Sequence, residues 1–408
     1  MPRGTTGPMP PAIGYRPFTG PTETAAVARL LHLAFAGPLD KCEQWMQDAG
    51  HEHLRVSRAP GSAESAPPSA CLLRIPMGQY FGGKRVPMVG IAGVAVAPEA
   101  RGDGVALSMM QACLREVRSE GAPLSCLYAS TQSLYRQVGF EQAGHRFLHS
   151  VEISRIGIRD RSLPVRPLND ADEAAVRACY QRFAATTDGM LDRSPYLWRR
   201  TRAHRDDTYK GFGVFDGPEL TGYLFLSQHR DPASGRHDLS ISDLAFSSAA
   251  AGRRILGFLG DFGSMAIRFE LFGGPIHPVL HLLPQQFFES RRKDWWMLRI
   301  TDAPAAIAAR GFPRSIDASV SVEVTDDLFP ENKGAWHLSV RGGRGVLERS
   351  ARAARGAQMD IRALACLYSG FLTPAQCAML GTLRADPDSL DALNAVFPGG
   401  TPSMTDMF

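Results

Sequence analysis

The sharpest chemical signal in the sequence is Val94-Ala95-Val96-Ala97-Pro98-Glu99-Ala100-Arg101-Gly102-Asp103-Gly104-Val105-Ala106, a strand-like run that ends in a loop and opens into a helix. Gly102 and Gly104 let the backbone come close to a bound group. The free N–H donors of a helix start, at the positive end of its dipole, favour a pyrophosphate, and Arg101 adds a charged donor. Other readings of the run exist. A dinucleotide fold asks for G-x-G-x-x-G with an acidic residue about 20 positions on, and the third glycine is missing. Arg101-Gly102-Asp103 also spells a cell-adhesion tripeptide, although it stands where a helix begins. A purely structural strand-to-helix turn explains the glycines and not the rest of the pattern. Further on comes Tyr128-Ala129-Ser130-Thr131-Gln132-Ser133-Leu134-Tyr135. A tyrosine hydroxyl, with an ordinary pKa of about 10, stays protonated at neutral pH and can deliver that proton to a leaving group. Packing between helix and sheet is the alternative role for Tyr135.

These residues need elements to carry them. A helix is expected over 22–35, with Val27, Leu30, Leu31 and Ala34 on one face. Strands over 72–76 and 84–96 flank Gly82-Gly83, a pair suited to a tight hairpin. A helix over 105–118 with Leu107, Met110, Leu114 and Val117 on one face, a strand over 123–129 and a short helix over 132–139 complete the first section. The order then restarts near 163–167: strand, helix over 169–183, hairpin strands around Asp216-Gly217, strand over 239–246, and a helix carrying Ile255, Phe258, Leu259 and Phe262. This reads as a second, degenerate copy. Its counterpart loop, Ser247-Ser248-Ala249-Ala250-Ala251-Gly252, has lost the glycine spacing, so no anion site is expected there. A third section begins near Met297. Val320, Val322 and Val324, then Trp336, Leu338 and Val340, alternate as in half-buried strands around the turn signal Thr325-Asp326-Asp327. Thr373-Pro374-Ala375-Gln376 has the form of a capping box, and a last helix with Leu390, Leu393, Val396 and Phe397 stops at Pro398-Gly399-Gly400.

The bulk properties exclude several classes. The 408 residues fit two to three domains at about 100–200 residues each. With 44% hydrophobic and 21% charged residues the chain is an ordinary globular one. A net charge of +4, from 45 basic against 41 acidic residues, is no nucleic-acid footprint. Seven scattered cysteines without a C-x-x-C pair argue against disulfides and structural zinc. His51-Glu52-His53 and the pair His277/His281 do not place two imidazoles on one helix face, so no metal is expected. The window 363–380 is broken by Gly370, Thr373 and Pro374 and reads as two buried helices, not a membrane span of about 20 apolar residues. The start lacks an apolar run behind a basic region, so no signal peptide is read and the cytoplasm is the expected compartment.

Arg-x-x-Gly-x-Ala at Arg101, Gly104 and Ala106 resembles the phosphate loop of GNAT acetyltransferases, and Tyr135 with Gly139-Phe140 resembles their Y-x-x-x-G-F helix. The hairpin Phe81-Gly82-Gly83-Lys84-Arg85-Val86-Pro87, the run from Gly90 to Pro98, the segment 130–140 and Trp296-Met297-Leu298-Arg299-Ile300-Thr301-Asp302 extend the likeness. Over nearly its whole length the chain resembles the enhanced intracellular survival (Eis) family of GNAT N-acetyltransferases. That resemblance implies an α/β (α+β) fold of two tandem GNAT-like domains plus a sterol carrier protein-like domain: 1–156 with the acetyl-CoA site, 157–297 degenerate, and 298–408 with its end reaching the active site. It implies acetyl-CoA contacts from Val94, Ala95, Val96, Arg101, Gly102, Asp103, Gly104, Val105, Ala106, Leu107, Ser130 and Thr131. It also implies Tyr135 as general acid, the α-carboxylate of Phe408 as general base, direct transfer to a small-molecule or peptide amine, and a homohexamer. A carboxylate of pKa about 3.3–3.7 needs burial or a relay water to act as a base. The tail 401–408, with one acidic side chain and two late apolar ones, suits a cleft; fraying is the default for a terminus elsewhere. Aminoglycoside-acetylating members carry acids where this chain has Met407 and Ala36-Gly37. A rival reading is a non-catalytic binding protein that holds an apolar ligand in the sterol-carrier-like domain.

Overall fold

The computed structural model describes residues 14–204, 206–350 and 356–408. The Pro/Gly-rich lead lies largely outside the described residues. The strands are β1 (Arg16–Pro17), β2 (Leu54–Ser57), β3 (Ala70–Phe81), β4 (Lys84–Val96), β5 (Leu124–Tyr128), β6 (Glu141–Glu152), β7 (Val165–Pro167), β8 (Leu191–Asp192), β9 (Ala203–His204), β10 (Asp207–Thr208), β11 (Lys210–Asp216), β12 (Glu219–Arg230), β13 (His237–Phe246), β14 (Ala266–Gly273), β15 (Phe288–Ile300), β16 (Asp317–Thr325), β17 (Gly334–Arg341), β18 (Arg344–Arg349), β19 (Ala357–Asp360) and β20 (Leu383–Arg384). The helices are α1 (Pro21–Phe35), α2 (Leu39–Ala49), α3 (Val105–Ser119), α4 (Gln132–Arg136), α5 (Glu173–Ala184), α6 (Pro195–Arg200), α7 (Ala249–Gly260), α8 (Ala303–Ala309), α9 (Ile361–Ser369), α10 (Pro374–Met379) and α11 (Pro387–Val396).

The two GNAT-like copies share one sheet, in the order β1-β2-β3-β4-β5-β15-β6-β14-β13-β12-β11-β7, with β8 on β3. β15 joins them: it pairs antiparallel with β5 from Trp296↔Tyr128 to Ile300↔Leu124 and with β6 along its length. The division at 297/298 therefore falls inside a strand that runs on to Ile300. The third section has its own sheet, β18-β17-β16-β19-β20. β3 is longer than the expected 72–76. Pro76 is tolerated because β2 pairs only as far as Leu73, leaving β3 an edge at that point. The helix expected to 139 stops at Arg136, and Gly139 takes φ +85°.

Both copies contain the same irregularity. In the first, β4 and β5 run parallel from Met88↔Leu124 to Ile91↔Leu127, and beyond this point β4 continues to Val96 without β5. A bulge opposite β3, between Cys71 and Leu73, bends β4 there. In the second, β13 and β14 pair in parallel as far as Ile241↔Leu271, and the bulge lies between Phe225 and Leu226 of β12. Each copy thus has a wedge between two diverging parallel strands, followed by a helix: α3 after β4, α7 after β13.

α3 buries Val105, Met109, Met110, Cys113, Leu114 and Val117 against the sheet. Its far end is fixed by ion pairs, Glu116 with Arg55 (2.7 Å) and Arg74 (2.7 Å), and Glu120 with Arg74. One apolar core runs from Phe18 in the first section to Met404 in the tail, so the first and third sections share a core. The β3–β4 hairpin touches the rest of the chain closely: a Cβ on Gly82 would lie 2.0 Å from the Gly311 carbonyl oxygen, and the Gly311 N–H bonds to Phe81 O at 3.0 Å.

Candidate active site

The loop after β4 is built as an anion seat. Gly102 takes φ +95°, and a Cβ there would meet nothing within 4 Å, so its backbone faces open space. Gly104 caps α3 at φ +76°, no side chain caps the helix start, and the first turn holds no acidic residue. The orphan N–H groups of Val105, Ala106 and Leu107 are left for a ligand. Arg101 and Asp103 are exposed beside them, and Arg101 Nε lies 3.4 Å from Val96 O. Across the wedge, Ser130 and Thr131 are exposed just past the end of β5. Val94, Ala95 and Val96 form the edge of β4 that has no β5 partner. These residues fit a pantetheine-pyrophosphate: an uncapped helix start for the phosphates, an open glycine, and a free strand edge for the amides of the arm.

The second copy does not offer this seat. Ser248 caps α7 by accepting from Ala251 N at 3.1 Å, so one donor of that helix start is already engaged, and the glycines of the first loop have no counterpart there.

Tyr135 sits on α4, 5% exposed, with its ring edge-on to Phe140 at 6.1 Å. Its hydroxyl has no hydrogen-bond partner among the described residues. Burial pushes its pKa up to about 12. Gly139 of the same motif is fixed by packing as well as by φ, since a Cβ would come within 2.5 Å of the Arg299 guanidinium. Arg299, from β15, is itself paired with Asp326 at 2.7 Å.

The tail does not fray. His145 N donates to Pro402 O (3.0 Å), Ser403 N donates to Asp188 O (2.8 Å), and Met404 is fully buried. Arg146 Nε donates to Thr405 O at 2.9 Å, and the Tyr128 hydroxyl donates to Asp406 O at 2.6 Å. The Phe408 ring then meets Tyr128 edge-on at 5.6 Å and covers Gly90, where a Cβ would come within 2.8 Å of Phe408 Cε2. Gly90 is one residue before the last β4–β5 pair, so the ring stands at the apex of the wedge. Phe408, the free β4 edge and the loop at Gly102 thus gather around the divergence of β4 and β5, and Tyr135 stands on α4, the helix that follows β5.

A cleft of about 720 Å³ opens between α2 and α6, with Asp48, His51, Glu52, His53, Tyr196 and Arg199 on its walls and Ile75 on its floor. Ile75, which lines this cleft, is the cross-strand partner of Gly90, the residue that the Phe408 ring covers. Met407 and Ala36-Gly37 supply no acid, but Asp48 and Glu52 do. His51-Glu52-His53 is a single turn on this wall, and no cluster of three metal-ligating side chains exists among the described residues. The sequence reading missed Tyr128, Arg146, Arg193 and Asp406, whose partners lie hundreds of positions away and leave no local motif.

Two segments match acetyltransferase (GNAT) domain models, 15–143 and 189–300, and 303–405 matches the sterol carrier protein domain. The structure superposes on a GCN5-related N-acetyltransferase from Anabaena variabilis with a TM-score of 0.90 and 32% identity, covering 97% of this chain and 99% of that one. A GCN5-related N-acetyltransferase from Kribbella flavida gives 0.81 and 30% identity, covering 95% and 96%. The N-acetyltransferase Eis of Mycobacterium tuberculosis is 27% identical over 343 residues, 78% of this chain and 80% of that protein. Two GNAT domains sharing one sheet, a sterol carrier protein domain after them, and relatives of the same architecture along almost the full length place this chain in the Eis family of GCN5-related N-acetyltransferases.

Proposed function

We propose that the protein transfers an acetyl group directly from acetyl-CoA to a primary amine in the first domain. The observation that carries this reading is the uncapped start of α3 at the mouth of the β4–β5 wedge, with the Phe408 ring at the wedge apex. The co-substrate supplies an acetyl group activated as a thioester. Arg101 and the N–H groups from Gly102, Asp103, Gly104, Val105, Ala106 and Leu107 hold its phosphates. Ser130, Thr131 and the free edge at Val94, Ala95 and Val96 hold its arm, and N–H groups of that edge face the carbonyl oxygen as charge builds on it. The Tyr135 hydroxyl keeps its proton until the C–S bond breaks and the departing CoA thiolate takes it. The α-carboxylate of Phe408 accepts a proton from the attacking nitrogen. The cleft beside Ile75 receives the acceptor, whose positive charge Asp48 and Glu52 complement.

In this reading 1–156 is the catalytic domain, 157–297 the degenerate copy, and 298–408 the sterol-carrier-like domain that delivers the tail. Assembly as a homohexamer follows from the family likeness. The test is thiol release from acetyl-CoA across a panel of amines. Release that depends on a primary amine, with the acetylated amine recovered, is expected. Tight acetyl-CoA binding without amine-dependent release by any panel member would contradict the reading and favour a binding protein.

A further inference from the structure

The second wedge, where β13 and β14 diverge, is not empty of chemistry. Asp243 stands two residues beyond the last β13–β14 pair and is 3% exposed. It takes two hydrogen bonds from Arg193, Nη1 to Oδ2 at 2.6 Å and Nη2 to Oδ1 at 2.8 Å, and a third from the Tyr223 hydroxyl at 2.6 Å. Arg193, between β8 and α6, has a fully buried side chain that lies over the rings of Tyr180 at 3.9 Å and Trp198 at 4.9 Å. Its remaining donor, Nε, reaches out of the middle copy to Asp406 Oδ1 at 2.9 Å, and Nη2 lies 3.4 Å from Thr405 Oγ1. One guanidinium therefore ties a carboxylate of the middle copy to a carboxylate two residues before Phe408.

Such a buried, forked contact fixes direction as well as distance, because the planar guanidinium presents its donors in a rigid array. The next residue, Met407, is 44% exposed, so nothing comparable holds the chain between Asp406 and the Phe408 ring. Arg193 is thus the last charged anchor before the end of the tail, with Tyr128 and Arg146 holding the same stretch by its backbone oxygens. We propose that Arg193 is a positioning residue for the α-carboxylate of Phe408, and that the middle copy serves catalysis in the first by clamping the tail through Asp243, Arg193 and Asp406. This rests on the reading of that carboxylate as the base.

Asp406 is the side to perturb, since Arg193 keeps Asp243 when Asp406 is changed. In Asp406→Ala, turnover with a saturating amine should fall by about 10-fold or more through misplacement of the base, with acetyl-CoA affinity within about two-fold of wild type. Asp406→Asn keeps an oxygen for Nε and should recover part of the loss. Added to a chain already carrying a short C-terminal extension, Asp406→Ala should cost nothing further, since both act on one carboxylate. If the extension slows turnover but Asp406→Ala does not, the clamp is overturned and the base stands. If Asp406→Ala lowers acetyl-CoA affinity and melting temperature together with turnover, its role is structural and the proposal fails. Should the extended chain turn over at the wild-type rate, the base assignment falls and takes the clamp with it.

Discussion

Burial sets the proton habit of Tyr135, on the helix that follows β5. A phenol loses its proton less readily away from water, so Tyr135, with its pKa pushed up to about 12, keeps the proton across the neutral range. Tyr135→Phe keeps the ring and its contact with Phe140 while removing the donor. Turnover should drop by about 10²-fold, measured as steady-state thiol release, with acetyl-CoA affinity unchanged. A rate within a few-fold of wild type would hand the proton to another acid. The segment from Tyr135 to Phe140 was legible because its residues lie within six positions of each other. Gly139 was legible as part of that motif, but the reason for it was not: it leaves room for an arginine of β15 that is distant in sequence.

The difference between α3 and α7 is one of capping. Both follow a strand that has left its parallel partner, yet Ser248 closes the start of α7 while the start of α3 stays open. One acetyl-CoA per chain is the expected calorimetric stoichiometry, and a value near two would show that the second wedge binds as well. Gly104→Val should abolish binding, because a β-branched residue resists φ +76° and crowds the N–H groups. Another element answers to pH. His277 caps the turn Pro278–Leu282 through Val279 N at 3.3 Å, and burial holds its pKa down to about 3. As pH falls below about 6.5 the unfolded chain gains this proton and the folded one does not, so stability present above that pH is lost progressively down to about 3. Denaturant titrations should show a shallower acid loss for His277→Asn, which keeps an acceptor for the cap. An unchanged pH dependence would remove His277 as the cause.

At the scale of the molecule, what was readable followed local pattern. Helical periodicity located α1, α3 and α7, the Gly82-Gly83 pair located the hairpin, and Thr373 with Gln376 forms the capping box that the spacing announces. The single sheet was not readable, because β15 leaves the middle copy to pair with β5 some 170 residues upstream, and no periodicity reports a partner at that range. The ion pairs from Arg193 to Asp243 and Asp406 escaped for the same reason. The tail was readable only as an apolar segment freed by Pro398-Gly399-Gly400; its seat against Gly90 and Tyr128 depends on the folded sheet. The central claim is that this tail completes the site begun by the loop at Gly102. The most direct test is amine-dependent thiol release by a chain carrying a few extra residues after Phe408, at saturating acetyl-CoA. A loss comparable to that of Tyr135→Phe, with acetyl-CoA affinity and melting temperature retained, is the predicted result; turnover equal to that of the unextended chain would contradict it.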